Sequence, residues 1–545
     1  LPTIATSILA NRSSDTLEAA KKFLKPSLKD LFDPFLISGM DKAIARVIQA
    51  LKKNEKIMIY GDYDVDGITS ASLMFLVLNR LGANVSYYLP NRLVEGYGIS
   101  EDGLLEAEKR NINLLISVDC GITAVEEVEV AKNKGIDCII TDHHEPGGKI
   151  PEAVAIVNPK VDGEDNPGFD LSAVGVAYKF AQALYRVLGQ DEAELEEHLD
   201  LVALGTAADI VPMIGENRIL TKFGLDQIAR TTKSGLKSLI FISGLIGQRI
   251  GTGQVVFILA PRINAIGRLG SAEQAIKLLT TRDESQASRI AKILNAENKR
   301  RKDIDEKTLN EALEQLHEKI DLEKDKAIVL ASRGWHQGVI GIVASRLVER
   351  FHKPTVMIAI DGEEGKGSAR SIPGFHLYNA LKHCESDLLG FGGHKYAAGL
   401  SIAPDRIDSF KRRLNDISTQ MLTDEELVPK LDIDAELDIE YINDDLLNIF
   451  EKFAPFGPQN MRPVFVSNRC EIIGSPHIVG KKHLKFKIRK GDRTLDCIGF
   501  NQGDFLQKLN YRPMMIDMVY IIEHNIWNGV KRIQIRTKAI KLSNA

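Results

Sequence analysis

At 545 residues the chain is longer than one hydrophobic core sustains, so several domains are expected. Its 44% apolar and 26% charged content is that of a folded globular chain and excludes a disordered or fibrous one, while a net charge of only -4 excludes a uniformly basic coat for nucleic acid. No apolar run nears the ~20 residues of a membrane span, no secretory signal is seen, and five cysteines without CxxC spacing fit a reducing cytoplasmic setting with no zinc ribbon and no membrane partner.

The chain begins at Leu1, not Met, so residues are expected to precede it. Residues 1–40 read as irregular to helical, with Pro26 and Pro34 interrupting. An amphipathic helix over Met40–Leu51 leads into an apolar strand, Ile57–Tyr60. A βα alternation follows: helix Ile68–Leu81, strand Val85–Leu89, strand Leu114–Val118, helix Thr123–Lys134, strand Cys138–Thr141 and strand Val154–Val157. Near-continuous apolar strands separated by helices predict a parallel sheet covered on both faces.

Polar residues fall just beyond the ends of those strands. In Gly-Asp62-Tyr-Asp64-Val-Asp66-Gly three carboxylates recur at every second residue. In an extended segment they share one face, where repulsion calls for a cation. No basic residue is interleaved, so a divalent ion fits, with a solvated acidic loop as the competing reading. Asp119 and Asp142-His143-His144 end two further strands, and the carboxyl edge of an open α/β sheet is where ligands bind. Any one of these aspartates could instead be a helix cap.

These motifs, together with Ala-Ala-Asp209-Ile-Val-Pro, Pro90-Asn-Arg92-Leu-Val-Glu95-Gly-Tyr97-Gly, Pro261-Arg262-Ile-Asn264-Ala-Ile-Gly-Arg268, Gly334-Trp335-His336-Gln-Gly, Lys366-Gly-Ser368-Ala-Arg370-Ser and Gly390-Phe-Gly392-Gly393-His394, occur in the order found in the DHH phosphoesterase superfamily. Over essentially its whole length the chain resembles that superfamily's single-strand-specific exonucleases, which work from the 5′ end. The resemblance implies two divalent ions, Mn²⁺ or Mg²⁺, held by Asp64, Asp66, Asp119, His143 and Asp209, with Asp119 bridging. Asp62 is a ligand or orients the loop. An imidazole among carboxylates favours Mn²⁺. Asp142 is expected behind the ligands, since an imidazole ligand usually donates its other N–H to a carboxylate or carbonyl. Local sequence does not mark Asp209, which could simply end a helix over Leu199–Ala208. His144 is a candidate for a phosphate oxygen, Arg262 and Arg268 for the scissile phosphate, and His394 for charge there or at the neighbouring phosphate. A packed histidine is the alternative for His144.

After Gly224 helix dominates, and Asp283–Ile320, free of Gly and Pro, predicts a long helix bridging two domains. Strands Lys326–Leu330 and Thr355–Ile360 around helix Val339–Arg350 predict a second, smaller α/β domain, the DHH-associated domain by resemblance. In it Gly365–Arg370 reads as a short flexible run. Its backbone, with Ser368 and Arg370, and with Arg92 from the first domain, is assigned to a terminal 5′-phosphate. A plain turn is the alternative. Trp335 and His336 are weaker candidates for DNA, Trp335 by stacking on a base or otherwise as core.

Asp432–Phe453 reads as helical and acidic, and Pro455-Phe-Gly-Pro458 as a boundary. Short alternating strands follow at Val464–Val466, Glu471–Ile473, His483–Ile488, Thr494–Phe500, Asp517–Glu523 and Gln534–Ile540, which suit an OB-fold barrel. Residues 461–545 carry sixteen Lys/Arg against six Asp/Glu, a balance of +10 on a body of -14. That asymmetry fits an appended single-strand-binding module, with Lys481, Lys482, Lys485, Lys487, Arg489 and Trp527 as candidate contacts. The expected organisation is an N-terminal extension (1–40), a catalytic α/β domain (41–225), a helical region (226–324), the DHH-associated domain (325–425) and an acidic helical segment with the barrel (426–545). The expected activity is metal-dependent hydrolysis of single-stranded DNA from the 5′ end to 5′-mononucleotides, in recombination and repair. Single-strand-binding protein and a helicase are partners expected of the family. The alternatives are a phosphodiesterase for dinucleotides or short oligonucleotides and a non-catalytic DNA-binding scaffold.

Overall fold

The computed structural model describes the chain except residues 13–15, 92–93, 270–271, 510–513, 528–529 and 544–545, with backbone alone at 268–269 and 526–527. Five parallel strands form the first sheet: β1 (Lys56–Gly61), β2 (Asn84–Tyr88), β3 (Leu114–Val118), β4 (Asp137–Thr141) and β5 (Ala155–Val157), in the order β2-β1-β3-β4-β5. Alternate residues of β1 enter opposite cores. Ile57 and Ile59 pack with helices Met40–Lys53, Val65–Arg80 and Ala173–Leu188 on one face. Met58 and Tyr60 pack on the other with Leu104, Ala107 and Val128. The chain reverses direction across the sheet at β1, so β1 and β3 flank the switch point where a crevice opens at the strand ends.

Helix Leu199–Asp209 packs against helix Gly215–Ala229 through a small-residue contact at Gly224. Further helices lead to the 36-residue helix Glu284–Lys319, about 54 Å long at 1.5 Å per residue. Its apolar ends serve different cores: Ala287, Ile290, Ala291 and Leu294 join the first domain, Ala312 and Leu316 the second. Between them Asn298, Arg301, Asp305 and Thr308 are buried. The second domain is a mixed sheet, β6 (Ile328–Ser332), β7 (Thr355–Asp361), β8 (Glu364–Arg370), β9 (Gly390–Gly393) and β10 (Ala397–Ile402), ordered β6-β7-β8-β10-β9. Only β6 and β7 are parallel, joined over helix Gln337–Phe351.

Three sequence expectations are corrected. Gly365–Arg370 is no flexible run; it is β8, paired on both sides. Its glycines are packing positions, since a Cβ on Gly367 would lie 2.5 Å from Leu400 and one on Gly365 2.9 Å from Ile358. Asp432–Phe453 is helical only at Asp444–Glu451, preceded by the short strand β11 (Ala435–Glu436) and a 3₁₀ turn. The strands expected at Val464–Val466 and Glu471–Ile473 are one bent strand, β12 (Phe465–Val479).

Two register shifts in β12 let it pair with β13 (His483–Lys490) on one side and β15 (Met515–Trp527) on the other. With β14 (Arg493–Gly499) and β16 (Val530–Leu542) this closes a five-stranded barrel. Helix Thr3–Ala10 buries Ala5, Ile8 and Leu9 in the barrel's core cluster, so the two ends of the chain pack together. No described helix is long and apolar enough to cross a membrane.

Gly224→Ala would place its Cβ on the Leu199 carbonyl and 2.5 Å from Ala203 Cβ, backbone that cannot yield cheaply. We expect a loss of about 1–3 kcal/mol, the usual cost of overpacking, in urea denaturation. Gly253→Ala, with open space around it, should leave the midpoint nearly unchanged.

Candidate metal centre

Four backbone segments deliver carboxylates and imidazoles to one place. Asp62 follows β1. Asp64 then caps helix Val65–Arg80, its Oδ1 accepting from the N–H groups of Asp66 (2.8 Å) and Gly67 (3.1 Å). Three carboxylates sharing one face of an extended segment is therefore corrected: capping turns the chain into a helix at Val65, and Asp66 projects from its first turn. Asp66 is 1% exposed and receives N–H groups from Ala173 (2.7 Å) and Val174 (3.0 Å) at the start of helix Ala173–Leu188. Asp119 sits after β3 with φ of 63°, a left-handed conformation that Asp tolerates better than most residues. Asp209 ends its helix because Ile210 adopts φ of 64°, a strained choice for a β-branched side chain.

These side chains surround a cavity of about 280 Å³ lined by Asp62, Asp64, Asp119, His144 and Asp209, with Tyr97 and Asn264 on its walls. Three ligand sets have donor atoms within 4.8 Å of one another: Asp62/Asp64/Asp119, Asp119/His143/His144 and Asp66/His143/Asp209. Asp119 and His143 each belong to two sets, so the sets overlap as adjacent cations with a shared carboxylate would require.

The electrostatics fit divalent cations. Burial, then repulsion from Asp209 and Asp64, holds Asp66 well above the usual carboxylate range. Burial and the neighbouring carboxylates, Asp64 foremost, do the same to Asp119. Asp209 is pushed up to about 7 by burial and by Asp64. Among the described residues no Lys or Arg pairs with Asp66, Asp119 or Asp209; Lys160, the cation whose charge reaches Asp209, is 3.0 Å from Glu145. His143 is pushed down to about 3 by burial and by His144, so it is neutral. Its buried Nε2 makes no hydrogen bond, yet lies 3.2 Å from Asp119 and 3.7 Å from Asp209. A neutral imidazole nitrogen facing carboxylate oxygens is a metal-ligand arrangement.

Asp142 is fully buried and accepts N–H groups from Ile122, His143 and His144. The ring it holds is that of His144, whose Nδ1 is 2.8 Å from Oδ1. Asp142 therefore stands behind the ring of His144 rather than that of His143. Asp142 stays below the usual range despite burial because of His144, and His144 is raised, against its own burial, by Asp142. Tyr97, quoted in a motif but given no role, places its hydroxyl 3.1 Å from His144 Nδ1 and donates to the Asp119 carbonyl at 3.1 Å. Asn158 donates to the His144 carbonyl at 2.9 Å. Only the Glu95-Gly-Tyr97 run could have signalled Tyr97, and nothing local marks Asn158.

Other candidates lie elsewhere. Arg262 turns toward the long helix, with Nε on Asn295 at 3.0 Å, and Asn264 and Gly267 of its motif face the cavity instead. The Arg268 side chain, Arg92 and the Trp527 side chain fall outside the described residues. Ser368 and Arg370 line a separate cavity of about 640 Å³ in the second domain, with Arg370 Nη1 3.2 Å from Ser368 Oγ. His394 is exposed on the turn between β9 and β10. His336 caps helix Gln337–Phe351, accepting from Gly338 N at 3.0 Å. Trp335 as a stacking platform is corrected: it is 6% exposed in the core, and its Nε1 donates to Glu311 at 2.9 Å. Along β13, Lys485, Lys487 and Arg489 alternate with buried Leu484, Phe486 and Ile488, so they share the outer face. Lys487 is 3.7 Å from Asp496, and Arg489 is held by Glu471. Lys481 and Lys482 are exposed on the preceding turn. A larger, mostly apolar cavity of about 830 Å³ beside helix Ser234–Ile242 shares no lining residue with the carboxylate site.

A parallel sheet presenting this cluster at its carboxyl edge, joined by a long helix to a second α/β domain, defines a metal-dependent phosphoesterase of the DHH class. Family models agree: the DHH family N-terminal domain matches residues 56–206, the DHHA1 domain 324–420 and the RecJ OB domain 433–539. The single-stranded-DNA-specific exonuclease RecJ of Bacillus subtilis is 42% identical over 99% of this chain and 68% of its own. That of Escherichia coli is 34% identical over 94% and 92%. The solved structure of RecJ in complex with Mn²⁺ from Thermus thermophilus superposes with a TM-score of 0.85, at 30% identity over 99% of this chain and 76% of that one. A second structure, exonuclease RecJ bound to manganese, gives 0.64 at 36% identity, covering 72% and 97%. The chain belongs to the RecJ family.

Asp142→Asn removes the charge that holds His144. We expect the His144 pKa to fall, followed by NMR of the imidazole, and turnover to drop by roughly 10–100-fold, the usual effect of losing an outer hydrogen-bonding carboxylate.

Proposed function

We infer that this chain is a metal-dependent exonuclease that hydrolyses single-stranded DNA from the 5′ end to 5′-mononucleotides, in the cytoplasm, during recombination and repair. The observation that carries this reading is the overlap of three ligand sets at Asp119 and His143. The relatives solved with Mn²⁺ and with Mg²⁺ support the choice of ion. Asp64, Asp66, Asp119, His143 and Asp209 would hold two divalent ions, with Asp119 the carboxylate common to two ligand sets and Asp62 as ligand or loop support. Divalent ions bound there supply the positive charge that lowers the pKa of the attacking water and steadies the leaving oxygen.

The chain's own groups do the rest. Water attacks the phosphorus between the first and second nucleotides, and the P–O3′ bond breaks. The first nucleotide leaves with its 5′-phosphate and a 3′-hydroxyl. The remaining strand keeps the attacked phosphate as its new 5′ end, so each cycle restores the same substrate. His144, held in place by Asp142, contacts a phosphate oxygen. Arg268 and His394 stabilise charge at the scissile or neighbouring phosphate. Ser368 and Arg370, with Arg92, receive the terminal 5′-phosphate, which makes polarity a property of the second domain. Lys481, Lys482, Lys485, Lys487 and Arg489 track the trailing strand, with Trp527 and His336 as further contacts. Single-strand-binding protein and a helicase are the proposed protein partners.

Strands labelled at either end test this directly. Mononucleotides should appear from the 5′ end only, with Mn²⁺ or Mg²⁺ and not with chelator. Asp119→Ala and Asp64→Asn, the latter keeping the helix cap, should abolish turnover while strand binding persists. Unchanged turnover in either would refute the metal assignment. A rate on dinucleotides equal to that on long strands would favour a small-substrate phosphodiesterase.

A further inference from the structure

The loop between helix Asp444–Glu451 and β12 reads as a domain boundary, yet it is where the catalytic domain grips the barrel. Arg218, in the first turn of helix Gly215–Ala229, is 3% exposed. Its Nη2 donates to three successive carbonyls beyond the C-terminus of helix Asp444–Glu451: Lys452 (3.1 Å), Phe453 (3.3 Å) and Ala454 (3.2 Å). The guanidinium carbon lies 3.8 Å over the ring of Phe23, from the N-terminal extension. Two further bonds hold the same loop: Met213 N–H to the Pro458 carbonyl and the Thr252 hydroxyl to the Phe456 carbonyl, both 2.8 Å.

This is an expensive way to join two domains. Among the described residues no carboxylate pairs with Arg218, and its Nε has no hydrogen-bond partner. Burial, then the nearby charge of Arg12, pulls its pKa down to about 10, so it stays charged at neutral pH. Its charge stands at the unfavourable end of its own helix and is balanced by carbonyls at the favourable end of another. An apolar side chain of similar volume commonly serves stability as well as a buried charge does. What the planar fork adds is direction, because several bonds from one rigid group fix orientation as well as contact. The joint also lies beside the metal cluster in sequence: Met213 is four residues beyond Asp209.

We propose that Arg218 is a positioning residue that locks the barrel against the catalytic domain, so that a strand held by the barrel is presented to the metal cluster at a fixed distance. The proposal rests on the exonuclease reading above. A strand engaged at both sites gains from effective concentration only while the span between them is held. A substrate too short to reach the barrel should not sense the lock.

Arg218→Met tests it in the full chain with Mn²⁺. Cleavage of a 5′-phosphorylated dinucleotide should stay at the parent rate. For a long strand kcat/KM should fall about tenfold or more, a partial loss of the ~100-fold at the low end of what tethering contributes. Arg218→Lys, which keeps charge and donors, should recover part of the loss. Spin labels at Glu129→Cys on the catalytic domain and Asp492→Cys on the barrel, both exposed while the native cysteines are buried, should show a broadened distance distribution in Arg218→Met. Equal loss on short and long substrates, or an unchanged long-strand rate with an unchanged distribution, overturns the proposal. If Arg218→Met does not fold, Thr252→Val carries the same test and should show the same split more weakly. Inactivity of the parent on both substrates would instead overturn the exonuclease reading.

Discussion

Like charges crowded out of water govern this structure. Two carboxylates ~4 Å apart repel by about 4 kcal/mol even at an effective dielectric near 20, and here Asp66, Asp119 and Asp209 are each raised by carboxylate neighbours as well as by burial. A fold gathers such a set only if something positive repays the assembly. The protein supplies part of it through backbone dipoles: helix Ala173–Leu188 offers two N–H groups to Asp66, and helix Val65–Arg80 offers two to Asp64. Asp142 and His144 settle into a nearly neutral pair of their own. What remains is a carboxylate cavity with a neutral imidazole, His143, against the carboxylates Asp119 and Asp209, which a divalent cation satisfies and a lysine would spoil by filling the space water and phosphate need.

Geometry around that cavity depends on small residues and unusual backbone. A Cβ on Gly205 would fall on Thr69 Oγ1 and come within 2.8 Å of Asp66 Oδ1, so the helix that ends in Asp209 approaches Asp66 closely only because Gly205 has no side chain. Gly67 likewise leaves room for the Asp62 backbone, and Gly267 for that of Tyr63. Ile210 and Asp119 take left-handed conformations at the points where the chain must stop and turn its carboxylate inward. The strain at Ile210 is borne by a helix whose other residues are almost entirely buried.

This division explains what was legible in the sequence. Apolar runs of the right length marked β1, β3 and β4, and the polar residues directly after them marked the crevice, because both signals are local. Asp64 was misplaced because two local rules competed: alternation says strand, whereas an aspartate before Val-Asp-Gly is also a cap, and two backbone bonds decide for the cap. Asp209 carries no local signal, since its meaning comes from a helix packed through Gly205 against Asp66, Thr69 and Val174, all more than thirty residues away from it in sequence. Trp335 could not be told from a stacking residue until its indole N–H was seen on Glu311, far along the long helix. The barrel was readable as strands. Its dependence on helix Thr3–Ala10 was not, because that contact joins opposite ends of the chain.

The two joints of the molecule are built differently, and the difference bears on how a strand moves through it. Helix Glu284–Lys319 is anchored by apolar residues in each α/β domain, but between those anchors its buried face is polar, with Asp305 held by Arg346 at 3.1 Å and Arg301 bonded to Asn298. The barrel joint is polar where it meets the catalytic domain, through Arg218, Met213 N–H and Thr252. Apolar contacts would bind as tightly but would tolerate sliding, because the hydrophobic effect has no direction. Hydrogen bonds lose most of their strength when misaligned. An enzyme that must advance a polymer by one nucleotide each cycle gains from joints of the second kind, since a fixed span from the barrel to the carboxylate cavity keeps the trailing strand aligned with it.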